Sequence, residues 1–140
     1  MGNTTSLMKK INFEDMQRVI EKDDVLLINT LDINNQKCLI KNTILPEKEV
    51  KLLNDYIKTS RNYKIVIYGM NSCDNSLNTK YEQLNQLGFI NIYVYPGGLF
   101  EWLLLQDIYG EELFPTTSSE IDHLKYKGNQ QLDILMLKDN

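Results

Sequence analysis

The sequence predicts an α/β domain of three layers, a mainly parallel central sheet with helices on both faces. Two patterns carry that reading. Short apolar runs at 25–28 and 65–68 fit strands buried on both sides, as in parallel sheets, and another strand is expected over 90–95. Between them lie stretches with apolar residues at helical spacing, so strands alternate with helices along the chain. The 140 residues suit one core, and the 42% of hydrophobic residues is enough to fill it.

Residues 1–10 are small and polar and are expected to form a flexible N-terminal arm, followed by the domain over 11–114 and an appendage over 115–140. Asn12 can cap a helix carrying Phe13, Met16, Val19 and Ile20 on one face, and Asp23-Asp24 ends it. Val25-Leu26-Leu27-Ile28 is the first strand. Asn34-Asn35 mark a turn, after which Cys38-Leu39-Ile40 are expected to begin a shorter strand. Pro46 opens a helix where its missing N–H costs nothing, with Val50, Leu52, Leu53, Tyr56 and Ile57 inward. Ile65-Val66-Ile67-Tyr68 is the next strand, and the polar loop directly after it is where a site of this architecture belongs. The following helix places Leu77, Tyr81, Leu84 and Leu87 on one face and stops at Gly88. A strand over 90–95 ends at Pro96-Gly97-Gly98. The helix over 99–109 is apolar on so many sides that it must be largely covered, and Gly110 closes it.

Several function classes are disfavoured by composition. The net charge of −4 and the pI near 5.0, with no cluster of Lys or Arg, argue against a nucleic-acid partner. No apolar run approaches the ~20 residues of a membrane span, and no secretory signal core is present, so a cytoplasmic location is expected. Cys38 and Cys73 are too few for a disulfide framework and are read as reduced thiols. His123 is the only histidine, and neither a metal nor another cofactor is expected. Met1-Gly2-Asn3-Thr4-Thr5-Ser6 fits the N-myristoylation pattern, so Gly2 is the candidate lipidation site for peripheral membrane association, with Lys9 and Lys10 as nearby cations.

The segment from Ile65 to Trp102 resembles the second half of a rhodanese domain. It has a strand ending in Tyr68, a loop, a helix ending Leu87-Gly88-Phe89, a strand, and then Gly97-Gly98 followed by Trp102. The Gly-Gly-x-x-x-Trp element is the most specific part, since two residues without Cβ allow a sharp strand-to-helix turn. The first half fits more loosely, through Phe13 to Ile20 as the opening helix and Leu26 to Thr30 as the strand that usually reads Leu-Ile-Asp-Val-Arg. The resemblance spans about residues 11–110.

It implies a nucleophilic Cys as the first loop residue, with the loop's N–H groups around the sulfur or phosphate that it carries. Here that place falls on Gly69 counting from Tyr68, or on Asn71 counting back from Leu84 and Gly88; Cys73 is in neither register. Asn29 stands for the usual Asp, Thr30 or Leu31 for its Arg, and no Arg follows Arg61 to close the loop, which disfavours phosphate-monoester hydrolysis.

The leading reading is a rhodanese-like domain without standard sulfurtransferase activity, acting as a binding or scaffold module for a protein partner. The alternative is a sulfurtransferase using Cys73, whose place before a helix favours a thiolate while Asp74 beside it opposes one. A second alternative is an anion-sensing module whose candidate loop is Gly69, Met70, Asn71, Ser72, Cys73, Asp74, Asn75 and Ser76. Cys38 reads as a small core residue. Residues 107–115, where Tyr109 and Phe114 flank Glu111-Glu112, are a candidate partner-binding rim.

Overall fold

The computed structural model describes residues 8–132. Four parallel strands form one sheet in the order β1-β4-β3-β2: β1 Lys9–Lys10, β2 Val25–Asn29, β3 Lys64–Tyr68 and β4 Ile92–Tyr95. The helices are α1 Phe13–Val19, α2 Pro46–Thr59, α3 Ser76–Gln86 and α4 Gly98–Tyr109. Asn12 caps α1 through a reciprocal capping box with Asp15, and Pro46 occupies the first turn of α2.

Strand alternation sorts the apolar side chains into two cores. Leu27, Val66, Tyr68 and Tyr95 point to the face covered by α1 and α4, where they meet Met16, Leu99, Trp102 and Leu103. Leu26, Ile28, Ile65, Ile67 and Val94 point to the other face, covered by Leu53 of α2 and by Leu77 and Leu84 of α3. Gly88 takes a φ of +99°, which turns the chain so that Phe89 is fully buried.

Four expectations are corrected. Lys9 and Lys10 are not part of a loose arm: they pair with Tyr93 and Val94, because the β4 edge offers unpaired backbone groups to any chain of suitable length. Cys38-Leu39-Ile40 do not add a strand to the sheet. They are apolar because they face the core, and a single antiparallel bridge joins Ile40 to Thr116. Val50 and Leu87 turn outward, at 64% and 44% exposure, since the sheet covers a narrower stripe of each helix than their apolar pattern suggests. The polar segment after Pro115 is not all appendage: Thr117 N–H donates to the Leu39 carbonyl at 2.8 Å, and Tyr126, 1% exposed, completes the core beside Trp102 and Phe114. Gly2 and residues 133–140 of the appendage lie outside the described residues.

Candidate functional site

The loop leaving β3 runs across the carboxyl end of the sheet, and the turn into α4 presses against it. Gly98 makes that approach possible. Its φ is +67°, and a Cβ there would stand 2.7 Å from the Gly69 carbonyl oxygen and 3.0 Å from the Asn71 nitrogen. The first N–H groups of α4 then close on the loop, Leu99 donating to the Gly69 carbonyl at 3.0 Å and Phe100 to the Met70 carbonyl at 2.9 Å. Trp102 anchors this turn: fully buried, it donates its indole N–H to the Pro115 carbonyl at 3.0 Å and packs edge-on against Tyr95 and Phe114.

Inside the loop, Asp74 takes the central position. Its Oδ2 accepts from the Met70 N–H at 2.9 Å, and its Oδ1 accepts from the Ser76 N–H at 3.0 Å and the Ser76 hydroxyl at 2.7 Å. Ser76 Oγ and Thr30 Oγ1 are 2.8 Å apart, which ties the start of α3 to the end of β2. The carboxylate thus takes up backbone and hydroxyl donors within the loop itself. The position of Gly69 is closed as well. A Cβ there would lie 2.7 Å from Asp74 Oδ2 and 2.9 Å from Thr30 Oγ1, so a nucleophile's side chain does not fit without displacing Asp74.

Asn71, 8% exposed, organises the other half of the loop. Its Oδ1 accepts from the Cys73 N–H at 2.8 Å, and its Nδ2 donates to the Tyr126 carbonyl at 2.8 Å. This buried amide fastens the C-terminal segment to the loop. Cys73 is exposed, and its Sγ faces Gly128, where a Cβ would come within 3.3 Å of it. Among the described residues no hydrogen bond reaches this sulfur. Ser72 and Asn75 are exposed at the loop's rim.

Cys73 opens on a polar cleft of about 370 Å³ lined by Thr30, Asp32, Asn71, Ser76, Lys127 and Asn129, among others. The loop members were legible in the sequence, whereas Lys127 and Asn129 were not: nothing local marks a polar tail as the wall of a site. Asn29, in place of the usual strand Asp, forms a reciprocal amide pair with Gln36 and accepts the Leu31 N–H at 3.0 Å. The second thiol is unlike the first. Cys38 is 3% exposed, its Sγ donates to the Ser118 carbonyl at 3.3 Å, and burial pushes its pKa up. Among the described residues no three His, Cys, Asp or Glu side chains are grouped to hold a metal ion, and no helix is long and apolar enough to cross a membrane.

A parallel sheet with helices on both faces and a loop-and-helix site at its carboxyl end defines a class of α/β domain that works through that loop. The chain belongs to the rhodanese-like domain family, whose sequence pattern it matches over residues 14–105. Solved structures agree on the fold. The Alr3790 protein from Anabaena sp. is 18% identical with a TM-score of 0.56, covering 82% of this chain and 96% of that one. The BH2092 protein from Bacillus halodurans is 19% identical with a TM-score of 0.57, covering 76% and 77%. The single-domain sulfurtransferase RDL2 of Saccharomyces cerevisiae is 20% identical with a TM-score of 0.50, covering 73% and 94%. No curated protein matches the chain.

Proposed function

We propose that this rhodanese-like domain is a binding module without thiosulfate sulfurtransferase activity. The observation that supports it is the Asp74 carboxylate, which occupies loop donors that would otherwise hold the substrate's anionic group and fills the space at Gly69. A second anion entering beside it meets like charge. Thiosulfate and cyanide are expected to yield no thiocyanate above the Cys73→Ala background. Turnover that disappears in Cys73→Ala overturns the reading.

One observation favours a second reading: Cys73 is exposed on the polar cleft. In that case its thiolate attacks the sulfane sulfur of thiosulfate and expels sulfite. The resulting persulfide passes its outer sulfur to cyanide, and thiocyanate leaves as the thiolate is restored. Iodoacetamide separates the two readings. The binding module predicts alkylation of Cys73 at the rate of an ordinary cysteine, whereas fast alkylation at pH 6, abolished by Cys73→Ser, supports the enzyme.

The anion-sensing reading draws less support, because Asp74 already accepts the Met70 and Ser76 N–H groups; binding of sulfate or phosphate below millimolar concentration would restore it. Membrane tethering through Gly2 is a separate proposal, resting on the N-terminal pattern alone. Co-expression with an N-myristoyltransferase and intact-mass measurement tests it, an unmodified Met-less N-terminus being the refuting result. A single acyl chain would give weak binding to anionic vesicles, with a partition constant of ~10⁴ M⁻¹.

A further inference from the structure

Helix α4 has no polar face. Gly98, Leu99, Trp102, Leu103 and Gln106 are buried against the sheet. On the opposite side, at i and i+4, stand Leu104 and Ile108, 39% and 69% exposed, while Phe100 and Leu105 at its flanks are partly buried against the core. Tyr109 and Leu113 add exposed apolar surface at the helix's C-terminal end. A helix that is apolar on most sides is ordinarily covered on most sides, whereas among the described residues the stripe of Leu104 and Ile108 stays exposed.

The charges at that end are arranged against the helix's own dipole. Asp107 lies in the last turn, Glu111 and Glu112 follow it, and no basic residue occupies the turn. The helix C-terminus carries partial negative charge and favours cations, so this end is left with an unmet electrostatic demand. Along the sequence no Lys or Arg occurs between Lys80 and Lys125. The ion pairs among the described residues, Lys80–Glu49 and Lys125–Glu120, involve none of the three carboxylates. Arg18 and Lys41 share a shallow cleft with Glu112, but Asp107 and Glu111 lie outside it.

We infer that the outer face of α4 is a docking surface for a basic amphipathic helix of a protein partner. Its apolar residues cover Leu104 and Ile108, and its Lys or Arg side chains meet Asp107 and Glu111 at the helix end. Anionic lipid headgroups would be repelled by the same carboxylates. The surface is separate from the loop after β3, so the inference holds whether or not Cys73 transfers sulfur.

The test measures fluorescence anisotropy of a labelled amphipathic Leu/Lys helical peptide with the full chain. The Leu104→Gln/Ile108→Gln and Asp107→Asn/Glu111→Gln variants are each expected to weaken binding about tenfold, the loss typical of removing an interface anchor. The charge-matched Asp55→Asn/Glu82→Gln control, on other helices, should bind as the parent does. Circular dichroism and melting confirm that each variant is folded, as expected for exposed positions. Equal affinity in all variants, an equal drop in the control, or equally tight binding of a Leu/Glu peptide overturns the inference. So does a dimer in sedimentation that Leu104→Gln/Ile108→Gln abolishes, because the face then belongs to a second copy of the chain.

Discussion

The loop after β3 packs against the start of α4, whereas the outer side of that helix is exposed towards its C-terminal end, and the two regions are opposite in kind. In the loop Asp74, Asn71 and Ser76 engage one another's donors and acceptors, and the C-terminal segment seals one side through Tyr126. On α4 a row of apolar side chains ends in carboxylates that no ion pair among the described residues engages. A site that satisfies itself has little left to offer a ligand, whereas a surface with unmet apolar and electrostatic demands has much to gain from a partner.

The largest expected effect separates the two sides of α4 itself. Trp102→Ala should cost about 3–5 kcal/mol, the range for truncating a buried large aromatic, while Ile108→Gln on the outer side should stay within about 0.5 kcal/mol. Urea denaturation measures both, and similar losses at the two positions would erase the distinction. Next comes the loop's internal fastening. Asn71→Leu leaves the Cys73 N–H and the Tyr126 carbonyl without their partner and should cost about 1–3 kcal/mol. A loss too small to measure would mean that the C-terminal segment does not hold the loop.

Asp74→Gly asks whether the carboxylate alone closes the loop to anions. The variant should be less stable than the parent by about 1–2 kcal/mol and should recover part of its melting temperature in sulfate. The parent should show no comparable gain. Equal responses would remove Asp74 as the occupant that matters.

The smallest effect appears only in alkali and concerns Tyr68, the last strand residue before the loop. Its buried hydroxyl accepts the Ile40 N–H at 3.1 Å and lies 2.6 Å from Thr43 Oγ1, and burial pushes its pKa well above the ordinary tyrosine range. Burial and the neighbouring Glu101 raise Tyr95 in the same direction. Below about pH 10, the unfolded value, both folded and unfolded chains keep these protons and the contribution is fully present. Above it the unfolded chain loses protons that the folded one retains, so stability falls as pH rises. Tyr68→Phe should flatten that decline, leaving the part due to Tyr95. An unchanged slope in alkaline melts would show that Tyr68 does not titrate on unfolding.

The sequence by itself located the strands over 25–28, 65–68 and 90–95, which form as Val25–Asn29, Lys64–Tyr68 and Ile92–Tyr95, together with the four helices and the Gly97-Gly98 turn anchored by Trp102. These are local matters. An apolar run, a cap, or a pair of glycines before a helix acts on its neighbours along the chain, and residue order alone exposes it. The displacement of Cys73 from both expected registers was legible in the same way, by counting from Tyr68 and from Gly88. What only the tertiary structure decided depended on chain folding back on chain. The space at Gly69 is closed by Asp74 together with Thr30, which follows the neighbouring strand, and Tyr126 is held by Asn71, 55 residues away, and buried in the core with Trp102 and Phe114. Lys9 and Lys10 became a strand because β4 had an open edge, a fact about the sheet rather than about two lysines. Backbone pairing and close packing act through space between distant segments, and no period or motif along the chain records them.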